Sequence, residues 1–171
     1  MADFAVLVGD AATVSIVDQQ AEFARVIGEI QSLLGSRWQE MTVGVVEIRQ
    51  DQLGTFGATA VLPTDILTRV GVSWVPLQGE ADTAANGGFL YGLSYERLTE
   101  FNADLLLVTQ FDVPDYAEIP IYQQLPVVQA GQVILVPEGV FYGVHYPNYI
   151  ATATFLLDEL RALGELRTDI V

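Results

Sequence analysis

The chain has 171 residues, 51% of them hydrophobic and 17% charged, which describes one globular domain with a real core and excludes a disordered chain. Its net charge is −15 and its seven basic residues are all arginine, so nucleic acid is excluded as an expected partner. Cysteine is absent, which removes both a disulfide framework and a thiolate metal site.

No apolar run is long enough to suggest a membrane span. Met1-Ala2-Asp3 has no basic n-region, so no signal peptide is expected at this start. Residues 1–12 read as an N-terminal segment, apolar and small, with a break at Gly9-Asp10. From Thr13 the pattern turns helical. Val17, Ala21, Ala24, Ile27, Ile30 and Leu34 recur at three- and four-residue steps, with Asp18, Glu22, Arg25 and Glu29 between them. This predicts a long helix over 13–35, closed by Gly35.

The α/β domain proper is expected over 41–164, with 165–171 as a tail. Met41 to Arg49 is nearly continuous in apolar side chains, the mark of a parallel strand buried on both faces. Arg49 stands at its carboxyl end. Leu53 to Gly57, with Phe56, turns the chain back. A helix follows from Pro63 to Val70, with Pro63 suiting the first turn and Gly71 the C-terminal cap. The Gly54-Thr55-Phe56-Gly57 spacing lacks the lysine of a phosphate loop, and no G-x-G-x-x-G fingerprint is present. Gln78 to Tyr91 reads as a long polar loop that ends in Phe89 and Tyr91.

Ser94 is a good N-cap, and Glu96 has the sign that the first turn of a helix favours. That helix is expected to reach Asn102, followed by a buried strand at Leu105-Leu106-Leu107-Val108. Gln110 to Glu118 is then a polar loop. A short helix through 121–125 leads to a second strand at 132–136, which makes a right-handed crossover unit. Ligands of such sheets sit beyond the carboxyl ends of the strands, here at Gln110-Phe111-Asp112 and Arg49. A second aromatic cluster, Phe141, Tyr142, His145, Tyr146 and Tyr149, occupies the next strand-to-helix connection at the same rim. The last helix runs from Pro147 to Gly164 with Ile150, Ala153, Leu157 and Leu160 as its stripe.

The chemistry points to binding, not catalysis. His145 is the one histidine, with no carboxylate at metal-ligand spacing and no nucleophile motif around it. The pairs Asp112 with Asp115 and Asp158 with Glu159 read as solvated surface. Arg49, with aromatics around it, can offer two donors to carboxylate or catecholate oxygens; the plainer reading is an ion pair with Glu47 or Asp51.

The stretch Ser94 to Val136 resembles a family. A helix opening S-x-E, an "aD-LLLV" strand, an "LP-V-aG-V" segment and a second strand follow one another as in the C-terminal lobe of siderophore-type substrate-binding proteins of bacterial ABC importers. The resemblance covers residues 13 to 164. It implies a Rossmann-like three-layer α/β/α domain with a mostly parallel sheet, one lobe of a two-lobe periplasmic-binding-protein fold. Residues 13–35 then correspond to the helix joining the lobes, and the N-terminal lobe is missing. It also implies a ligand carried without a resident cofactor: a ferric siderophore, or haem or cobalamin in its place. The ligand would be held at Arg49, Phe56, Tyr91, Gln110, Phe141, Tyr142, His145 and Tyr146, with Phe89 as a second aromatic candidate beside Tyr91. Glu96 occupies the position of the glutamate that docks on arginines of the membrane permease. The full-length protein is then expected outside the cytoplasm, in the periplasm or lipid-anchored at the cell surface. Two other readings of the residues stay open: a self-contained flavodoxin- or Rossmann-like enzyme, and an interaction domain that has lost transport.

Overall fold

In the computed structural model the described residues are 3–110, 115–140, 145–168 and 170, with side chains described from residue 16 onward except at 110 and 138. A six-stranded mixed sheet lies between two helical layers. Its main path runs β4 (Phe89–Leu93), β2 (Leu53–Phe56), β1 (Thr42–Ile48), β5 (Leu105–Gln110), β6 (Val133–Leu135), and the two-residue β3 (Ser73–Trp74) pairs beside the start of β1. β1, β3, β5 and β6 are parallel, while β2 and β4 are antiparallel additions to one side. The expected three-layer architecture with a mostly parallel sheet is therefore present.

The centre of the sheet follows from composition. Val43, Val45, Leu105 and Leu107 alternate onto one face; Val46, Ile48, Leu106 and Val108 alternate onto the other, and all are buried. Each such side chain contributes about 2 kcal/mol of apolar burial. The first face is covered by α1 (Asp3–Leu34), α2 (Leu62–Val70) and α6 (Tyr146–Leu163). The second is covered by α3 (Pro76–Asp82), a 3₁₀ helix at Tyr95–Phe101, α4 (Pro120–Gln123) and α5 (Pro126–Gln129). α2 carries proline in its first turn and ends on Gly71 at φ 102°, a left-handed conformation that a side chain would strain.

Several expectations are corrected. α1 is continuous from Asp3, so no break occurs at Gly9-Asp10 and 1–12 is not a separate segment. Its buried stripe is Phe23, Val26, Ile30 and Leu34; Val17, Ala21 and Ala24 face outward, since the pattern allowed more than one apolar face. The expected loop from Gln78 to Tyr91 contains the end of α3 and the start of β4. The expected turn at Leu53–Gly57 contains a hairpin strand. The short helix expected at 121–125 is two single turns, each opened by a proline. Residues after Gly164 do not hang free: Leu166 is buried, Arg37 donates to its carbonyl at 2.8 Å, and the Gln132 amide brackets Arg167.

Candidate functional site

β1, β5 and β6 end side by side, and their carboxyl ends form one rim. Glu47 lies opposite Thr109, and Ile48 opposite Gln110. Glu47 and Thr109 share the face of Val43, Val45, Leu105 and Leu107, and both are buried. Thr109 Oγ1 has no hydrogen-bond partner among the described residues.

Arg49 leaves the end of β1 on the same side as Glu47. Its Nε donates to Glu47 Oε1 in an ion pair between a 38% exposed arginine and a fully buried carboxylate. Its guanidinium lies 5.3 Å from the centre of the Tyr91 ring, within cation–π range. The Tyr95 hydroxyl donates to the Arg49 carbonyl, so the turn after β1 is tied to the chain leaving β4. Burial, with the Asp51 charge adding to it, pushes the Tyr95 phenol up.

Tyr91 reaches Arg49 because β4 crosses β2 at a glycine. A methyl group on Gly54 would lie 2.6 Å from the Tyr91 ring, so only glycine admits that approach. The ring is 38% exposed and stacks on Phe89 at 6.2 Å between centroids. Phe89 in turn meets Phe56 edge-on at 5.6 Å. The order is therefore Arg49, Tyr91, Phe89, Phe56, from rim to interior.

Phe56 is fully buried and belongs to the core, which corrects its assignment as a ligand contact. Tyr91 and Arg49 stand at the rim. Gln110 ends β5 there; its side chain lies outside the described residues, as do Phe111-Asp112, Phe141 and Tyr142. His145 is exposed at the N-terminus of α6, where its carbonyl accepts from the N–H of Asn148 at 3.0 Å. Tyr146 does not join the Arg49 group. It lines a cleft of about 260 Å³ between α1, α2 and α6, with Phe23, Arg69 and Tyr149. Gln20 donates to its hydroxyl at 3.0 Å. In that cleft Arg69 is paired with Asp65 at 3.1 Å and lies 5.9 Å from the Tyr149 ring centre. Burial and the neighbouring Asp65 push the Tyr149 phenol up.

Glu96 is exposed on the first turn after β4, beside the rim. The Ser94 hydroxyl does not cap the backbone as expected; its hydrogen bond to Glu96 holds that carboxyl below the usual range. Among the described residues no group of three or more acidic or histidine side chains is placed to hold a metal ion.

No protein-family model matches the chain, and no curated protein matches it. Solved structures do match. FhuD2 from Staphylococcus aureus, solved with bound ferrioxamine B, superposes with a TM-score of 0.71 at 19% identity, over 94% of this chain and 62% of that one. An FhuD-fold periplasmic binding protein of a Fep/Fec-like ferrichrome ABC transporter from Bacillus subtilis gives 0.74 at 19% identity, over 92% of this chain and 60% of that one. DesE, a ferric-siderophore receptor protein from Streptomyces coelicolor, gives 0.67 at 20% identity, over 97% and 55%. The chain thus spans less than two thirds of each neighbour's length. The likeness establishes the fold: this chain has the architecture of part of an FhuD-type siderophore-binding protein.

Proposed function

We propose that the chain is the ligand-binding lobe of an ABC-importer substrate-binding protein, and that it captures a ferric siderophore between its carboxyl rim and a second lobe. The observation that carries this reading is the fold likeness over at least 92% of the chain to a protein solved with bound ferrioxamine B, a ferrichrome-transporter binding protein and a ferric-siderophore receptor. The rim supports it chemically. Tyr91 offers an exposed ring and Arg49 a braced guanidinium at the carboxyl ends of the strands. Nothing in this reading requires a bond to be made or broken. A resident cofactor has no part in it; the iron arrives as cargo.

In this reading Glu96 docks on the permease. Its exposure, its place beside the rim and its ionised carboxyl all suit an arginine partner. The working location is outside the cytoplasm, where such importers collect ligand.

Calorimetric titration of the full-length protein with ferric siderophores tests the reading. Saturable one-to-one binding by at least one chelate is expected, and no binding across the panel contradicts it. Calorimetry suits the geometry better than tryptophan fluorescence. Trp74 pairs beside Val43 at the amino end of the sheet, and Trp38 packs on Gly71 there, both away from the rim.

A further inference from the structure

The helical layer holds a second polar and aromatic cleft, separate from the Arg49 group. It lies between α1, α2 and α6, encloses about 260 Å³, and is lined by Phe23, Tyr146 and Tyr149 with Arg69 among them. Phe23 meets Tyr149 edge-on at 5.5 Å, so two of the rings hold each other in place. Small-molecule sites usually enclose about 300–1,000 Å³, so a volume at the low end suits a ligand of one or two rings.

Arg69 differs from the arginines around it. Arg25, Arg97 and Arg161 are each shared between two carboxylates. Arg69 meets one, Asp65, through Nε at 3.1 Å, and its two Nη groups have no hydrogen-bond partner among the described residues. The guanidinium is braced all the same. Asp65 is buried, and the Tyr149 ring centre lies 5.9 Å from the guanidinium carbon. Tyr146 adds a further donor: its hydroxyl accepts from Gln20 at 3.0 Å, and its own O–H has no acceptor among the described residues. These unspent groups are donors set among aromatic faces.

Donors on a cation call for an anion, and the rings call for a flat apolar body. A carboxylate is planar and takes two parallel N–H bonds from a guanidinium. Its charge is limited to one. Asp65 already offsets part of Arg69, Asp18 is exposed on the same helix as Phe23, and the net charge of −15 opposes a second negative charge. We propose that this cleft binds an aromatic monocarboxylate. The ring lies among Phe23, Tyr146 and Tyr149, and the carboxylate takes the Nη groups of Arg69 and the Tyr146 hydroxyl. The site stands apart from chelate capture at the rim and does not depend on it.

The test is calorimetry on the full-length protein with benzoate, its neutral counterpart benzamide, and doubly charged phenyl phosphate. Benzoate should bind one-to-one with a Kd below about 1 mM. The other two should bind at least about tenfold more weakly. Arg69→Gln should weaken benzoate about tenfold or more and leave ferrioxamine B affinity unchanged. Tyr146→Phe removes one oxygen and keeps the packing, so it serves even if Arg69→Gln fails to fold; it should weaken benzoate severalfold. Benzoate and ferrioxamine B should bind together. The absence of saturable benzoate binding overturns the proposal, as does benzamide binding equally well. An affinity that neither substitution lowers also overturns it. Displacement of benzoate by ferrioxamine B does so too, because the acid then sits at the rim.

Discussion

The two ends of the same sheet use their buried polar groups differently, though each buries an oxygen without a partner among the described residues, Asp104 Oδ1 at one and Thr109 Oγ1 at the other. At the amino end, Asp104 Oδ2 accepts from the Thr42 N–H at 2.8 Å and the Thr42 hydroxyl at 2.9 Å. Gln132 closes the same end: its Oε1 accepts from the Arg167 N–H at 2.6 Å, and its amide donates to the carbonyls of Arg167 and Asp104. The final residues are strapped across this network. At the carboxyl end the buried Glu47 meets an arginine that is still partly in solvent, and the Thr109 hydroxyl is buried without a partner among the described residues. One end ties most of its polar atoms into its own hydrogen bonds, largely to backbone, and gains stability. The other keeps an aromatic face and a braced ion pair at the surface, which is what a ligand can use.

Breaking the amino end should give the largest loss. Asp104→Ala removes a charged acceptor from two donors and should destabilise the domain by about 3 kcal/mol in urea denaturation. In the full-length protein it should leave chelate affinity unchanged where the fold persists. At the carboxyl end, Arg49→Gln removes the ion pair with the buried Glu47 and should lower stability by about 2 kcal/mol, less than a fully buried pair because the arginine is partly solvated. Adding Glu47→Gln should recover part of that loss, as a double-mutant cycle would read. A double variant less stable than Arg49→Gln alone would remove Glu47 as the brace.

A pH series separates a third contribution. Burial, together with neighbouring Tyr116, pushes the Tyr122 phenol well above its ordinary value. The folded state therefore holds that proton more tightly than the unfolded one. The contribution is complete below the unfolded phenol value of about 10 and is lost as pH rises above it towards the folded value. Tyr122→Phe should flatten the alkaline limb of the stability curve. The smallest effect on folding belongs to Glu96→Ala. That side chain is exposed, so the thermal midpoint should not move, while uptake by cells relying on the full-length protein should fall. Normal uptake would exclude Glu96 from docking.

Much of the fold was legible because its central strands are buried on both faces. TVGVVEI and LLLVTQ leave no second interpretation, and Pro63 with Gly71 frames α2 as local chemistry requires. β4 was not legible. FLYGL is half exposed, contains a glycine and follows Gly87-Gly88, so it reads as the end of a loop. Missing β4 also hid the Arg49–Tyr91 group. Arg49 was visible at a strand end, but its cover by Tyr91 depends on β4 crossing β2 at Gly54, a contact between strands that periodicity does not encode. The burial of Phe56 follows from the same pairing, since Phe89 lies against it.

The most direct measurement is calorimetric titration of the full-length protein with ferrioxamine B, in parallel with its Tyr91→Ser variant. If the rim is the ligand face, the unaltered protein binds one chelate saturably, and the variant binds it more weakly with little change in thermal midpoint. Unchanged affinity in the variant would move the ligand off this rim, and no binding by the unaltered protein would contradict the binding role.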